Sequence, residues 1–273
     1  MNRNELDIAI DWAALEGWNP GLHDAECFHA ADPSGFLIGK LDGEPIATIS
    51  VVKYNESFGF LGFYIVKPEY RGKGYGIKIW NAGLKYLKGC NIGLDGVVEQ
   101  QENYKKSGFQ LAYRNIRYEG ISGGQFPKNI NLINLSSVSF KSINNYDRDF
   151  FPAARAQFLK YWLKQSDSKS LGIFHDGRLS GYGVIRPCRK GYKIGPLFAN
   201  CPQLANSLFN ALKVSVSSSQ PVFLDVPEVN QDAINLAKNN NMQVVFETAR
   251  MYTQESPKLS LNRLYGVTTF ELG

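Results

Sequence analysis

Residues 66–80 read VKPEYRGKGYGIKIW, and within them Arg71-Gly72-Lys73-Gly74-Tyr75-Gly76 sets three glycines at alternate positions just before a segment of helical periodicity. The residues before it, Ser57 to Val66, read as an apolar strand. A glycine-rich turn from a strand into a helix aims several backbone N–H groups, and the positive end of the helix dipole, at one point. Such a turn cradles an anion, most naturally a phosphate, and Arg71 and Lys73 add charge to it. Glycines also make plain tight turns, yet alternate glycines flanked by two cations exceed what a turn needs. The absence of Cβ atoms at Gly72, Gly74 and Gly76 is expected to let a ligand approach the backbone. The spacing is neither the G-x-x-x-x-G-K-[ST] of a Walker A loop nor the dinucleotide G-x-G-x-x-G, and Lys73 stands where an RNA-reading loop carries an aromatic residue.

Outward from the loop, helices are expected around Glu5 to Glu16 and His23 to Ala31. A hairpin follows over GFLIGKLDGEPIATISVVKY (35–54), turning at Asp42-Gly43. Beyond the loop come a helix from about Tyr75 to Lys88, a strand at Asn91 to Val98, a short helix ending near Ser107-Gly108 and a strand from Phe109 to Tyr118. The design then recurs. SLGIFHDGRLSGYGVIR (170–186) turns at Asp176-Gly177, and Phe209-Asn210-Ala211 downstream repeats Trp80-Asn81-Ala82. Each half is expected to carry the same α/β unit. EGISGGQFPKNIN (119–131), rich in Gly, Pro and Asn, stands between them, so the expected domains are 1–120 and 132–273 with a linker at 121–131.

Composition narrows the classes. The 273 residues are 44% hydrophobic, ample for two modest domains, and hold no apolar run long enough to span a membrane. The start, MNRNELDIAI, lacks the apolar stretch of a secretory signal, so a soluble cytoplasmic protein with no membrane partner is expected. Cys27, Cys90, Cys188 and Cys201 lie far apart and only His23, His29 and His175 could assist them, which argues against a metal site or a disulfide framework. The net charge of +5 is scattered, so nucleic acid is not an expected partner, whereas a small anionic ligand suits it. Oligomeric state is not legible here.

FYIVKPEYRGKGYG (63–76) resembles motif A of the GNAT superfamily of acyl-CoA-dependent N-acetyltransferases, [QR]-x-x-G-x-[GA], and NYKKSGF (103–109) resembles the companion short helix ending in Tyr-x-x-x-Gly-Phe. The element order agrees over residues 5 to 118. The resemblance implies an α/β fold of two tandem GNAT-like domains, each a mixed, mostly antiparallel sheet flanked by helices. It also implies acetyl-CoA as cosubstrate, with no metal. The amides of Arg71, Gly72, Lys73, Gly74, Tyr75 and Gly76 would hold its pyrophosphate, main-chain groups of Ile65 and Val66 would pair with the pantetheine arm, and Asn103 and Tyr104 would lie beside the pantetheine and sulfur. The reaction it implies is direct attack of a primary amine, on a small molecule or a peptide, upon the thioester within a ternary complex. Tyr104 could protonate the departing thiolate, since a phenol stays protonated at neutral pH; as an isolated residue it would read as a core aromatic. The strand before the loop, FGFLGFYIV, carries no acid, whereas NIGLDGVVEQ offers Asp95 and Glu99; Asp95 is read either as the base or as a strand-end acid hydrogen-bonded to a loop. No cysteine is placed to form an acyl-enzyme. In this family the loop between the first two helices roofs the acceptor site, here EGWNPGLHDAE (16–26), which puts Trp18, Asn19, His23 and Asp24 forward as acceptor residues; a capped turn is the other reading.

The second half shares the elements but not the loop. Aligned on Phe209-Asn210-Ala211, positions 71 to 76 become Asn200, Cys201, Pro202, Gln203, Leu204 and Ala205, so the glycines are gone and Pro202 removes an amide. In LDVPEVNQDAINLAKNNNM (224–242) Asp225 and Asn230 keep their spacing, but Ala237 replaces the tyrosine and Asn241-Met242 replaces Gly-Phe. The second half therefore reads as a degenerate GNAT-like domain that completes the substrate cleft or holds the first. RPCRKGYK (186–193) reads as a solvated basic turn, with a second acyl-CoA site as the competing idea. For the whole chain, a non-catalytic acyl-CoA-binding or scaffold module is the alternative to an enzyme.

Overall fold

The helix opening the chain, α1 (Arg3–Leu15), starts in a capping box in which Asn2 and Glu5 satisfy each other's backbone donors, and α2 (Asp24–Ala31) follows. The hairpin turning at Asp42-Gly43 is β1 (Phe36–Leu41) with β2 (Glu44–Lys53), and β3 (Phe58–Val66) pairs antiparallel to β2. Then come α3 (Tyr75–Tyr86), β4 (Asn91–Val97), α4 (Gln101–Lys106) and β5 (Gln110–Ile121). The second half supplies β6 (Leu132–Asn134), α5 (Phe140–Asp147), α6 (Ala156–Trp162), β7 (Lys169–His175), β8 (Arg178–Pro187), β9 (Tyr192–Ala199), α7 (Pro202–Val214), β10 (Pro221–Pro227), α8 (Gln231–Asn239), β11 (Gln243–Tyr252) and β12 (Leu264–Gly266). This computed structural model describes residues 1–128 and 131–273; positions 129 and 130, at the end of the expected linker, lie outside the described residues.

Both halves show the expected mixed, mostly antiparallel sheet flanked by helices, with β3–β4 and β9–β10 the parallel pairs among the described strands. The two sheets, however, are one. The order β1-β2-β3-β4-β11-β5-β10-β9-β8-β7-β6 places the last long strand of each half against the other half's sheet. β11 pairs with β4, β5 pairs with β10, and β5 and β11 pair with each other. Asn115 opposes Thr248 at the centre; these hold the same place counted from Phe109 and Met242, so a pseudo-twofold axis passes between them.

The cores interleave accordingly. Phe28 of α2 lies against Phe63 of β3 and stacks on Trp162 of α6, whose indole donates to the Gly195 carbonyl. The same cluster takes in Phe158, Val184 and Leu272 from the second half. On the other face α3 and α4 pack Ile79, Trp80 and Tyr104 with Ala249 and Met251 of β11. Truncating a buried aromatic such as Trp162 to alanine costs about 3–5 kcal/mol, so each half draws stability from the other's side chains.

Candidate active site

β3 runs beside β4 only from Phe58, opposite Asn91, to Leu61, opposite Leu94. Beyond that point β4 stays with β11, while β3 turns away through a bulge whose apex, Phe63, has φ +45°. A bulky residue there is strained; burial of the Phe63 ring and a 2.9 Å bond from the Thr48 hydroxyl to its carbonyl hold it. The parting leaves the edge of β3 from Gly62 to Val66 facing a cavity of about 710 Å³. Its other walls are the glycine loop, the end of β4, Tyr104, and Phe246, Thr248, Phe270 and Glu271 of the second half.

Gly72 and Gly74 have φ +74° and +80°, and Gly74 caps α3 without a side-chain bond, so the first-turn amides of α3 have no partner inside the helix. The reason for glycine differs from the one expected. A Cβ at Gly72 or Gly74 would meet nothing within 4 Å, so the left-handed backbone selects glycine there, whereas at Gly76 a Cβ would lie 2.5 Å from the Tyr64 hydroxyl and helix packing selects it. Ile65, Val66, Arg71, Gly72, Gly74 and Gly76 line the cavity. Lys73, Tyr75 and Asn103 are not among its lining residues: Lys73 sits over the Tyr70 ring, Tyr75 packs on the same ring, and Asn103 donates to Gln100. Arg71 is already engaged, with Nε donating to the Val66 carbonyl at 2.8 Å and Nη2 paired with Glu16.

Tyr104 lies in the wall. Its ring stacks on Trp80 at 5.8 Å and covers Gly96, where a Cβ would come within 2.1 Å of it. Burial, then Tyr64 and Glu99, push its phenol up to about 12, which keeps the proton in place as a donor. Asp95 also reaches the cavity but is not free: Arg250 donates to both its oxygens at 2.8 and 2.6 Å, and Asn115 donates to Oδ1. Burial pushes its carboxyl up against the pull of these partners. Asp95 is thus hydrogen-bonded, as one of its two readings had it, but to residues of β5 and β11 rather than to a loop.

The four expected acceptor residues are not brought together. Trp18 lines the cavity and its carbonyl accepts from Arg117. Asn19 exchanges hydrogen bonds with the Lys190 backbone, and its carbonyl accepts from Lys193. Asp24 is fully buried, accepting from Arg186 and from the Gly21 amide. His23 lies 3.5 Å from Asp167 and lines a separate cavity of about 470 Å³ with Lys160 and Tyr161. The loop's polar groups are thus spent on holding it to β8 and β9. The same bonds correct the reading of residues 186–193 as a solvated turn, because Arg186 and Lys193 are buried clamps on that loop.

The residues missed from sequence are Glu16, Phe246, Thr248, Phe270 and Glu271. Glu16 opens the quoted loop and could have been found there; Phe246 and Thr248 reach the cavity through the pairing of β11, and Phe270 and Glu271 through the segment that follows β12, and neither route leaves a local signature.

In the second half the corresponding strands part after Ile194, opposite Leu224. Here the gap is filled by chain. β12 pairs antiparallel to β9, the Val267 amide donates to the Asp225 carbonyl at 2.9 Å, and Asn230 donates to the Leu264 carbonyl. Asp225 forms the counterpart of the Asp95 ion pair, receiving Arg117 at 2.6 and 2.8 Å. A second acyl-CoA site in this gap would have to displace that strand.

Comparison with known proteins agrees with this geometry. The model of the Acetyltransferase (GNAT) family matches residues 6–109, and that of an Acetyltransferase (GNAT) domain matches residues 143–266. Holothin acyltransferase of Pseudoalteromonas sp. (strain SANK 73390) is 32% identical, covering 98% of this chain and 92% of that protein. A solved structure from Pyrococcus horikoshii, assigned as an acetyltransferase, superposes with a TM-score of 0.77 at 23% identity, over 91% of this chain and 83% of that one. A tandem GNAT protein from the clavulanic acid biosynthesis pathway superposes at 0.62 with 11% identity, over 94% and 98%.

Proposed function

Because the chain belongs to the GNAT family of acyltransferases, whose members use acyl-CoA cosubstrates, we propose that its first half is an N-acetyltransferase moving the acetyl group of acetyl-CoA to a primary amine. The observation that carries this reading is the asymmetry of the gaps: the one between β3 and β4 opens onto the glycine loop and Tyr104, while the one between β9 and β10 is filled by β12.

The unpartnered amides at the start of α3, with the helix dipole behind them, suit the pyrophosphate. The open edge of β3 suits the pantetheine arm, which would add to the sheet as a strand does. Direct attack needs a neutral amine, backbone N–H groups to stabilise the oxyanion, and a proton for the thiolate; Tyr104 is proposed to give that proton. The acceptor is proposed to be a small-molecule amine, in keeping with the 32% identity to a holothin acyltransferase and with a cavity walled by Trp18, Phe246 and Phe270.

Calorimetric titration with acetyl-CoA, followed by thiol release against a panel of amines, tests the reading. One equivalent bound and turnover with at least one small amine are expected. Absence of binding, or two equivalents, would overturn the single-site assignment.

A further inference from the structure

Four carboxylates line the main cavity among the described residues: Glu16, Asp95, Glu99 and Glu271. Glu16 is held by Arg71, Asp95 by Arg250 and Asn115, and Glu99 is exposed beside Tyr104. Glu271 is different. It is 4% exposed, its Oε2 accepts from the Thr269 hydroxyl, and its recorded hydrogen bonds include none to a cation among the described residues. Its main chain crosses β3 at Gly62, where a Cβ would lie 2.2 Å from the Glu271 carbonyl, so glycine at 62 is what admits this segment to the cavity wall.

The charges that act on Glu271 come from three strands: Arg117 on β5, Arg186 on β8 and Lys193 on β9. Arg117 is matched by Asp225 and Arg186 by Asp24, whereas Lys193 bonds only to the Asn19 carbonyl among the described residues. Cys188, buried in the same group, has its thiol pushed up by burial and is neutral. Burial, then Arg117, push the Lys193 ammonium down, while Asp225 and Glu271 oppose that shift, so Glu271 has this buried charged group on one side and the cavity with its other acids on the other.

We propose that Glu271, brought to the first half's cavity by the segment that follows β12, is the residue that accepts the proton of the attacking amine. The inference rests on the acetyl-transfer reading above. The amine nitrogen bonds to the thioester carbonyl carbon while its N–H proton passes to Glu271; the C–S bond breaks and the thiolate takes the Tyr104 proton. Return of the proton from Glu271 to the Tyr104 phenolate through solvent restores both groups. Phe246 and Phe270, 6.4 Å apart by ring centroids, flank this end of the cavity and give it an apolar wall in which a carboxylate acts on a compact amine rather than on bulk water.

The test is thiol release by Glu271→Gln with an amine the native chain accepts, followed from about pH 6 to about 9.5, alongside acetyl-CoA affinity. The expected result is a kcat about 100-fold lower near neutrality, a deficit that narrows as pH rises and hydroxide takes over as acceptor of the N–H proton, and an acetyl-CoA Kd within about twofold. A kcat within about threefold of native with an unchanged pH profile overturns the proposal and leaves the transfer reading standing. Should the Gln variant fail to fold, Thr269→Val, which removes only the hydroxyl that orients the carboxylate, is expected to move the pH profile, and an unmoved profile is equally fatal. A native chain that releases thiol with no amine overturns the transfer reading and this proposal together.

Discussion

Each half of the molecule contains two parallel strands that part immediately before a glycine, Gly62 in one and Gly195 in the other, and the C-terminal segment meets both. A Cβ at Gly195 would lie 2.5 Å from the Thr268 carbonyl, as one at Gly62 would lie 2.2 Å from that of Glu271. In the second half the segment enters the gap as β12 and pairs with it; in the first it only skirts the gap, which stays open as the cavity. The difference teaches that a gap between parting strands which lacks a glycine loop is closed by the chain itself. Open strand edges leave backbone groups that need partners, and where Pro202 has replaced the glycine loop, the chain supplies those partners itself.

The largest effect expected bears on the symmetric ion pairs. Removing one partner of a buried pair costs about 3–5 kcal/mol, so Asp95→Ala and Asp225→Ala should lower urea stability alike. An Asp95→Ala chain of native stability without activity would break the symmetry and restore Asp95 as the base. The pairs should part in acid. Against burial, which pushes it up, Arg117 and Lys193 hold the Asp225 carboxyl below its ordinary value. The unfolded state therefore binds more protons below about pH 4, and stability falls as pH drops through the folded value. That slope should vanish in Asp225→Ala and persist in Asp95→Ala, read as denaturation midpoints against pH.

Next in size is Tyr104→Phe, for which kcat should fall about 100-fold with acetyl-CoA affinity nearly intact; its counterpart Ala237 has no hydroxyl to lose. Gly74→Val forces a β-branched residue to φ +80°, a strain of about 1–3 kcal/mol, and should weaken acetyl-CoA binding about 30-fold by calorimetry. Gln203→Val at the matching position of the second half should change nothing, and an equal loss there would mean that both halves bind. The smallest effect concerns the exposed Arg189–Asp11 pair between the halves: Arg189→Ala should cost less than about 1 kcal/mol in thermal or urea unfolding.

Much of this architecture was legible. Asp-Gly turns, alternating apolar runs and glycine stops mark β1–β2, β7–β8 and α3 within a few residues, because those signals are local. Loss of the second glycine loop was equally plain. Strand exchange was not, since QVVFETARMY alternates identically whether its neighbour is β4 or β10, and only Asp95 opposite Arg250 discloses the register. The basic turn misled for a related reason: Arg186 and Lys193 are cations whose partners, Asp24 and the Asn19 carbonyl, lie far off in sequence. Glu271 stands in TTFELG, a segment with no periodicity to point it anywhere.

The path of that segment also has a consequence in time. A ribosome delivers the glycine loop and Tyr104 early, β11 much later and Glu271 after that. A nascent chain thus exposes the glycine loop while the sheet beside β4 still lacks its neighbour and the cavity a wall. The first half therefore cannot close its own cavity during synthesis, and has to wait for strands made well after it.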